Sequence, residues 1–308
     1  MTQRAYQYRF YPTEEQTQMR ARTFGCVRYV YNWGLRLKTD ADDQTGKRRY
    51  SKDLSAQWTG LKHQAETGWL QEVSSVSLQR ALRQLDRACP NFFAGRGGYP
   101  QFHKKPGKPS ATYAASAFKG DGENITLAKR SEPLNRRGSR RFYGVPSSVP
   151  VSKDALDRNH RSILVDAGTP QPPARDNPVG SDRGLTDAVI LAAGPKFGTS
   201  RVFRKDGKRL AKTQRQRAKT QKGSKNQAKA RLKVALIHVK IAERRSDFLY
   251  KLSTRLINEH QVIAVEGLPV KTLIRNHHLA QSICRRLGRV CATTRIESSV
   301  VWENGCDD

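Results

Sequence analysis

The sequence has no long apolar segment. No run of its 308 residues approaches the roughly 18–20 apolar residues that a membrane-spanning helix requires. Its first residues, MTQRAYQYRFYPTEEQ, lack the apolar stretch found at the centre of a secretory signal peptide. We therefore expect no membrane partner and a cytoplasmic location.

Cysteine is scarce and forms no recognisable pattern. The five cysteines are Cys26, Cys89, Cys284, Cys291 and Cys306, and no two of them form a CxxC pair. An odd number without such pairs disfavours both a disulfide framework and a zinc ribbon. We expect a reducing compartment, no zinc site, and cysteines that are small buried or incidental residues.

Acidic residues are also few. The chain has 27 Asp and Glu against 57 Lys and Arg, which gives a formal net charge of +30 and a pI near 10.4. An excess of this size describes the partners of a protein rather than its fold. Four Trp, ten Tyr and ten Phe are too many for a mostly disordered chain. Nucleic acid is therefore the expected partner.

The basic residues are concentrated between positions 204 and 233. This segment contains thirteen Lys and Arg but a single acid, Asp206. A solvated helical face is the alternative interpretation, but such faces normally carry both signs of charge. Phosphate contact is therefore favoured for this segment.

Changes in composition and in hydrophobic periodicity along the chain suggest its domain organisation. An alternating strand comes first, a helical region follows, and Gly, Pro and Lys break the helical pattern near residue 95. A run of prolines then predicts a stiff linker. The expected segments are 1–12 (first strand of a β unit), 13–94 (helical), 95–168 (the rest of the β unit), 169–178 (linker), 179–283 (second domain) and 284–308 (tail).

Two local patterns concern the helices. Thr13 followed by Gln16 is a capping-box pattern, which predicts the start of the first helix. A long amphipathic helix follows the basic segment. Its predicted apolar face consists of Leu232, Leu236, Val239, Ala242, Leu249, Leu252 and Leu256.

Aromatic residues interleave with arginine in the first helix. Tyr29, Tyr31 and Trp33 lie beside Arg28 and Arg36. Such residues can stack on the bases of a nucleic acid. Aromatic residues at helical spacing are more often part of a core, and a core position is the favoured interpretation.

Two carboxylates lie on short apolar strands. Asp182 is in the strand VGSDRGL, and Glu266 is near the end of QVIAVEGL, 84 positions later. Adjacent strands would bring their oxygen atoms within reach of a divalent metal ion. From spacing alone, carboxylates that face solvent or a loop are the favoured interpretation.

Several motifs together resemble the TnpB/OrfB family of transposon-encoded proteins. YRFYPTEEQ followed by RTFGCVRYVYNWGL is similar to the opening of family members. GSDRGL resembles their first RuvC motif, and VIAVEGLPVKTLIRNHHLAQSI resembles the second. The helical sequence between these motifs is also similar, so the resemblance extends to about Ile283.

The resemblance implies an RNA-guided DNA endonuclease related to type V CRISPR effectors, with DNA and a guide RNA as partners. It matches Asp182 and Glu266 to the first two catalytic carboxylates, and hence to a Mg²⁺ site. The implied fold class is α/β plus α+β. Its parts are a helical recognition lobe, a small β-rich wedge-type barrel, and an incomplete RNase H-like (RuvC) domain with a long basic helical insertion. An older view treats the N-terminal helices as a helix-turn-helix domain.

The sequence departs from the family pattern in two places. The zinc ribbon and the third motif, with its last carboxylate, have no match, and we expect residues 284–308 to be a frameshifted tail. In the first motif, Ser181 and Arg183 occupy positions that are apolar in the family. A buried unpaired polar group costs about 1–3 kcal/mol. We therefore expect a looser strand around Asp182. Because the third carboxylate has no match, we also expect Mg²⁺ to bind weakly.

The sequence thus predicts a transposase-type protein of an insertion sequence that binds DNA and guide RNA but has lost nuclease activity. The alternatives are a nuclease-dead, RNA-guided repressor and a non-functional product of a damaged gene. The residues predicted to contact nucleic acid are Arg28, Arg36, Lys104, Lys105, Arg204, Lys205, Lys208, Arg209, Lys212, Arg215, Arg217, Lys219, Lys222, Lys225, Arg244 and Arg245.

Overall fold

The computed structural model describes most of the chain in ten segments. These are residues 2–45, 51–105, 107–120, 124–137, 142–167, 179–182, 187–191, 196–198, 202–260 and 263–265. They belong to two units, Met1–Thr169 (unit 1) and Pro170–Asp308 (unit 2). The whole predicted linker and the whole predicted tail lie outside the described residues. None of the described helices is long and apolar enough to cross a bilayer.

Unit 1 opens with the predicted strand, β1 (Thr2–Phe10). Tyr6, Tyr8 and Phe10 are buried, whereas Gln7 and Arg9 between them are exposed. Successive side chains of a strand point to opposite faces, so this alternation gives β1 one apolar face. That face contributes to the core of unit 1.

Helix α1 (Glu14–Thr45) begins at the predicted capping box. The Gln16 backbone N–H donates to Thr13 Oγ1 (3.3 Å), and the Thr13 N–H donates to Gln16 Oε1 (3.4 Å). These bonds satisfy two backbone donors that the start of a helix leaves without intrahelical partners. The capping-box prediction is confirmed.

The helical pattern of residues 51–93 is also confirmed. It forms α2 (Ser51–Leu61), a 3₁₀ helix (Ala65–Glu72) and α3 (Ser75–Phe93). Helix α3 packs against α1 at Gly34, where an added Cβ would lie 2.7 Å from Leu82 Cδ2. Glycine at this position therefore permits the close approach of the two helices.

The remaining strands of unit 1 form a sheet around β1. They are β2 (Ser110–Ala114), β3 (Phe118–Lys119), β4 (Thr126–Leu127), β5 (Arg136–Arg137), β6 (Pro146–Lys153) and β7 (Asn159–Ala167). Four of them join β1 in a five-stranded antiparallel sheet of order β2-β6-β7-β1-β5, and β3 pairs with β4 separately. Val149, Val151, Ile163 and Val165 supply buried apolar side chains to this sheet.

The described strands form an open sheet rather than the predicted barrel. Strands β2 and β5 are its two edges, and no ladder between described residues joins them. Strand β5 contributes only two paired residues, Arg136 and Arg137.

Unit 2 contains a second sheet made of short strands. They are β8 (Val179–Asp182), β9 (Asp187–Leu191), β10 (Lys196–Gly198) and β11 (Ile263–Val265). Their order is β10-β9-β8-β11, with β11 parallel to β8 and the other two pairs antiparallel. The strands that carry the two motif regions are therefore neighbours.

Two helices lie between β10 and β11 in the chain and pack against each other. They are α4 (Val202–Ala218) and α5 (Lys225–Glu259), and we call them the basic hairpin. Between them, Gly223 has φ +85°, and Ser224 Oγ accepts a bond from the Gln227 N–H at 3.1 Å. The sequence analysis missed this turn, although a glycine before a serine N-cap is a signal for a new helix.

The predicted apolar face of α5 is half wrong. Leu249, Leu252 and Leu256 are buried as predicted. In the first half of the helix, Leu232 and Leu236 are 52% and 41% exposed. Ala242 is also exposed and Val239 is half-buried. The buried residues there are Val234 and Ile237, which belong to a second apolar stripe. Helical periodicity alone does not decide which of two apolar stripes a neighbouring helix covers.

The capping box can be tested directly. Thr13→Ala should lower the free energy of unfolding by about 1 kcal/mol, because it removes one side-chain cap from α1. Urea denaturation followed by circular dichroism measures this change. Gln18→Ala, at an exposed position of the same helix, should leave stability nearly unchanged. An equal loss in both variants would contradict the capping role.

Candidate nucleic-acid interface

The basic hairpin exposes a dense group of cationic side chains. All of those predicted between residues 208 and 225 are exposed: Lys208, Arg209, Lys212, Arg215, Arg217, Lys219, Lys222 and Lys225. Lys208, Lys212, Arg215 and Lys219 follow a spacing of three or four residues, which places them along one side of α4 and its end. The same surface continues onto α5 through residues that the prediction omitted, Lys229, Arg231 and Lys233.

The single acid of this segment has a structural position inside the hairpin. Asp206 is 9% exposed, and its carboxylate accepts a bond from Nη1 of Arg244 on α5. This ion pair joins the two helices. Within the part of the chain that the structure describes, no carboxylate forms an ion pair with the bases between 208 and 225. Their charge is thus available to an anionic partner.

The other hairpin residues predicted to contact nucleic acid are less accessible, or their side chains lie outside the described part of the chain. Arg244 is engaged by Asp206, and Arg245 is half-buried. Arg204 and Lys205 belong to the first turn of α4 by backbone position, but their side chains are outside the described part. The exposed part of the predicted site therefore begins at Lys208.

In unit 1 the predicted residues are spread over two places. Arg28 is half-buried on α1, and Arg36 is exposed with Nε 4.0 Å from an Asp40 carboxylate oxygen. Lys104 and Lys105 are exposed beyond the end of α3. The structure does not gather these four residues into one cluster by any contact between described side chains.

Lys104 and Lys105 follow a segment that is fixed to α1. The His103 N–H donates to Asn32 Oδ1 (2.8 Å), and Asn32 Nδ2 donates to the His103 carbonyl oxygen (3.1 Å). The imidazole stacks on Tyr31 with ring centres 3.8 Å apart. Burial lowers the pKa of His103, which favours its neutral form.

The aromatic residues of α1 belong mainly to the core, as predicted. Tyr31 is 7% exposed, and Trp33 is partly buried against the core of unit 1. Tyr29 is 37% exposed and meets Trp69 edge to face at 5.2 Å. Tyr31 and Trp33 therefore confirm the core interpretation.

A second aromatic group, missed by the sequence analysis, lies next to Lys104 and Lys105 in the chain. Phe92 makes edge-to-face contacts at 5.2 Å with both Phe93 and Tyr99, and Phe102 is 53% exposed. Residues 87–110 contain five Lys and Arg and no acid, which is the signal that could have identified the group. Exposed aromatic and basic side chains together suit unpaired bases and their phosphates.

The structure brings together the strands of the two motif carboxylates. Strands β8 and β11 run parallel, with Ile263 opposite Val179 and Val265 opposite Ser181. Asp182 is the last residue of β8 and pairs with Ile190 of β9. Glu266 and Arg183 lie outside the described residues, as does the side chain of Asp182. Among the described residues there is no group of three potential metal ligands.

The described cysteines have no sign of reactivity. Burial raises the pKa of Cys26 to about 11, so its thiol stays protonated near neutral pH. Cys26 is buried and Cys89 is half-buried, and neither forms a disulfide with a described cysteine. The other three cysteines lie outside the described residues.

Comparison with known proteins decides the family. A family described as "Probable transposase" matches residues 162–277, and one described as "Helix-turn-helix domain" matches residues 1–47. A "Putative RNA-guided DNA endonuclease" of Streptomyces pristinaespiralis is 44% identical over 283 residues, which are 91% of this chain and 70% of the relative. The chain belongs to the TnpB/OrfB family.

A second relative supports this membership, and a solved structure shows the type of fold. The TnpB/OrfB relative named "Putative RNA-guided DNA endonuclease InsQ", from Escherichia coli strain K12, is 31% identical over 277 residues, covering 88% of this chain and 68% of the relative. The solved "Cas12f1-sgRNA-target DNA complex" contains a chain that aligns with a TM-score of 0.52 and 11% identity, covering 94% of this chain and 73% of that one. The second likeness establishes a mixed α/β fold of the same type.

The region matched as a helix-turn-helix domain has a different structure here. Its described residues form β1 and one continuous helix, α1, up to Thr45. A helix-turn-helix has two helices joined by a turn of three or four residues. Within the described part of residues 1–47, the TnpB/OrfB chain therefore has a strand followed by a single long helix.

The ion pair within the basic hairpin gives a local prediction. Asp206→Asn should accelerate hydrogen exchange of the α4 amides, because it removes the link to Arg244. The loss of stability should be below about 1 kcal/mol, since Arg244 is half exposed and solvent screens the pair. Asp247→Asn is the matched control, because Asp247 pairs with Lys251 inside α5. If both variants change α4 equally, Asp206 does not join the helices.

Proposed function

We propose that this TnpB/OrfB chain binds nucleic acid through its basic hairpin, with guide RNA and DNA as the partners. The observation that carries the proposal is the exposure of eight bases between residues 208 and 225 while the segment's only acid, Asp206, is paired with Arg244. A surface of this kind attracts polyanions and releases their counterions on binding. The partner classes come from the names of the relatives and of the solved complex.

The finer fold assignment is part of the same proposal. Helices α1 to α3 would serve as the recognition lobe, and the five-stranded sheet of unit 1 as the wedge. The sheet of unit 2 would be the RNase H-like part, with the basic hairpin as its insertion. The order β10-β9-β8-β11, with β11 parallel to β8, supports this assignment.

Lys104 and Lys105 would provide a second contact in unit 1. They are exposed and follow a segment with exposed Phe93 and Phe102 side chains. Lysine contacts position a phosphate, and aromatic rings accept bases of any sequence by stacking. This surface suits an unpaired stretch of nucleic acid.

The catalytic part of the proposal concerns Asp182 and Glu266. The parallel pairing of their strands and their oxygen ligands fit a Mg²⁺ ion, which would activate water and stabilise the leaving oxygen of a phosphodiester. The family motif has apolar residues where Ser181 and Arg183 occur. Ser181 pairs with Leu191 of β9 and with Val265 of β11, so the residue that departs from the family motif is at a central position of the sheet, next to Asp182. We propose that binding persists while Mg²⁺-dependent cleavage is lost.

A nuclease-dead repressor guided by RNA would use the same surfaces, because occupation of DNA needs binding alone. A non-functional product would bind nucleic acid without selectivity for a guide RNA. A comparison of a cognate guide RNA with a scrambled RNA of equal length separates these alternatives.

Binding should depend strongly on salt and on the basic hairpin. Replacement of Arg215, Arg217, Lys219 and Lys222 by Gln should reduce the slope of log affinity against log salt by up to about three, since each phosphate contact contributes about 0.7–0.9. Sequence preference should not change. Fluorescence anisotropy with labelled RNA between low and physiological salt measures both quantities.

The control variant also removes four positive charges, but from unit 1 instead of the hairpin. Arg4, Arg9, Arg83 and Lys119 are exposed in unit 1 and are replaced by Gln in a second variant. This variant should keep most of the salt slope. Equal effects of the two quadruple variants would mean that net charge alone, rather than the hairpin, determines binding.

The chain should show no Mg²⁺-dependent cleavage of DNA, even with a matching guide RNA. A misplacement of about 1 Å at a reacting group can reduce the rate 10²-fold, and polar Ser181 and Arg183 should disturb the position of Asp182. A gel assay with labelled target DNA measures this. Cleavage by the unaltered chain that is abolished by Asp182→Ala would contradict the proposal.

A further inference from the structure

Arg20 on α1 is a buried cation, and two of its guanidinium nitrogens have no hydrogen-bond partner among the described residues. Its residue is 4% exposed, and neither Nε nor Nη1 has a partner within the part of the chain that the structure describes. Most buried arginines are paired or hydrogen-bonded, because an unpaired buried charge is expensive. Arg20 therefore needs an explanation that the fold of unit 1 does not supply.

The charged groups around Arg20 leave a positive environment. Burial lowers the pKa of Arg20, the nearby Arg130 lowers it further, and Asp157 raises it. Arg130 is half-buried, and its Nη1 donates to the Gln16 carbonyl oxygen at 3.3 Å. Asp157 already pairs with Lys153, at 2.5 Å. The nearby carboxylate is thus shared with another cation, and Arg20 and Arg130 remain in excess.

We propose that Arg20 and Arg130 form a binding site for a phosphate oxyanion, with a backbone phosphodiester of nucleic acid as its occupant. The planar guanidinium group offers several N–H donors in a fork that matches phosphate geometry. The positions of Gln16 and Arg130 support a built site. Gln16 caps α1 through Thr13 and also donates from Nε2 to the Pro133 carbonyl oxygen at 3.2 Å. The segment that carries Arg130 is thereby held against α1.

This site differs from the basic hairpin in its position and in how it would bind an anion. It lies in unit 1, and it binds through a buried arginine rather than through exposed charge. A free phosphate ion has the same oxyanion chemistry as a phosphodiester. The nucleic-acid occupant rests on the proposed function, whereas the oxyanion site itself does not.

The first measurement is thermal unfolding of the full chain in sodium phosphate and in sodium chloride of equal ionic strength. Phosphate should raise the Tm of the unaltered protein above its value in chloride. Arg20→Met should abolish this rise. In chloride, Arg20→Met should be at least as stable as the unaltered protein, because the apolar side chain replaces an unpaired buried charge of similar length.

Arg22→Met is the matched control. Arg22 lies two residues away on α1, is exposed, and pairs with Glu72 at 2.8 Å. It should keep the full phosphate effect. Absence of a phosphate effect in the unaltered protein, or its persistence in Arg20→Met, would overturn the proposal. A large loss of stability for Arg20→Met in chloride would also overturn it, because Arg20 would then have a structural role without an anion.

The second measurement identifies the source of the oxyanion. Arg20→Met should reduce the affinity for a single-stranded RNA about ten-fold or more, as expected for one lost charge-assisted contact. Arg22→Met should change it little. A Tm effect of phosphate without any change in RNA affinity would overturn the nucleic-acid occupant. The hairpin variant tests the proposed function separately, since it leaves Arg20 and its phosphate response intact.

Discussion

Repulsion between like charges is the main constraint on unit 2. Helix α4 carries a high density of bases that have no acidic partners among the described residues, so its own electrostatics oppose a compact arrangement. The hairpin depends on a small apolar contact, which includes Val234 and Ile237, and on the ion pair between Asp206 and Arg244. A polyanion removes the repulsion on binding. The positive charge that destabilises the free hairpin by repulsion is therefore also what lets the hairpin bind nucleic acid.

Unit 1 has a different electrostatic problem, because several of its cationic side chains are buried in the hydrophobic core and need partners there. Arg161 is fully buried and reaches the Leu134 carbonyl oxygen, and its guanidinium lies 5.9 Å from the centre of the Tyr8 ring. Lys38 pairs with Asp86 between α1 and α3. Arg161 Nε also lacks a partner among the described residues, but its Nη1 is bonded, whereas no described group accepts a proton from either Nε or Nη1 of Arg20. This contrast separates structural cations from the one that we assign to an anion.

Local sequence patterns predicted much of the fold, whereas packing and strand pairing between distant segments were harder to predict. The capping box at Thr13, strand β1 and the helical regions follow from patterns within a few residues, and they were correct. The predicted apolar face of the first half of α5 was wrong because two apolar stripes compete there, and Val234 and Ile237, rather than Leu232 and Leu236, are the buried residues. The open sheet depends on which distant strands pair with one another, which no local pattern indicated. For the site, charge density identified the hairpin bases, whereas Arg20 gave no signal because its significance lies in burial without a partner.

The most direct test of the central claim is lysine footprinting of the full chain with and without guide RNA. Acetylation of exposed lysines, read by mass spectrometry, reports which amines the RNA covers. Our account predicts strong protection of Lys208, Lys212 and Lys219 on the basic hairpin, and little protection of the exposed Lys119 in unit 1. Uniform protection of all these lysines, or protection that spares the hairpin, would contradict it.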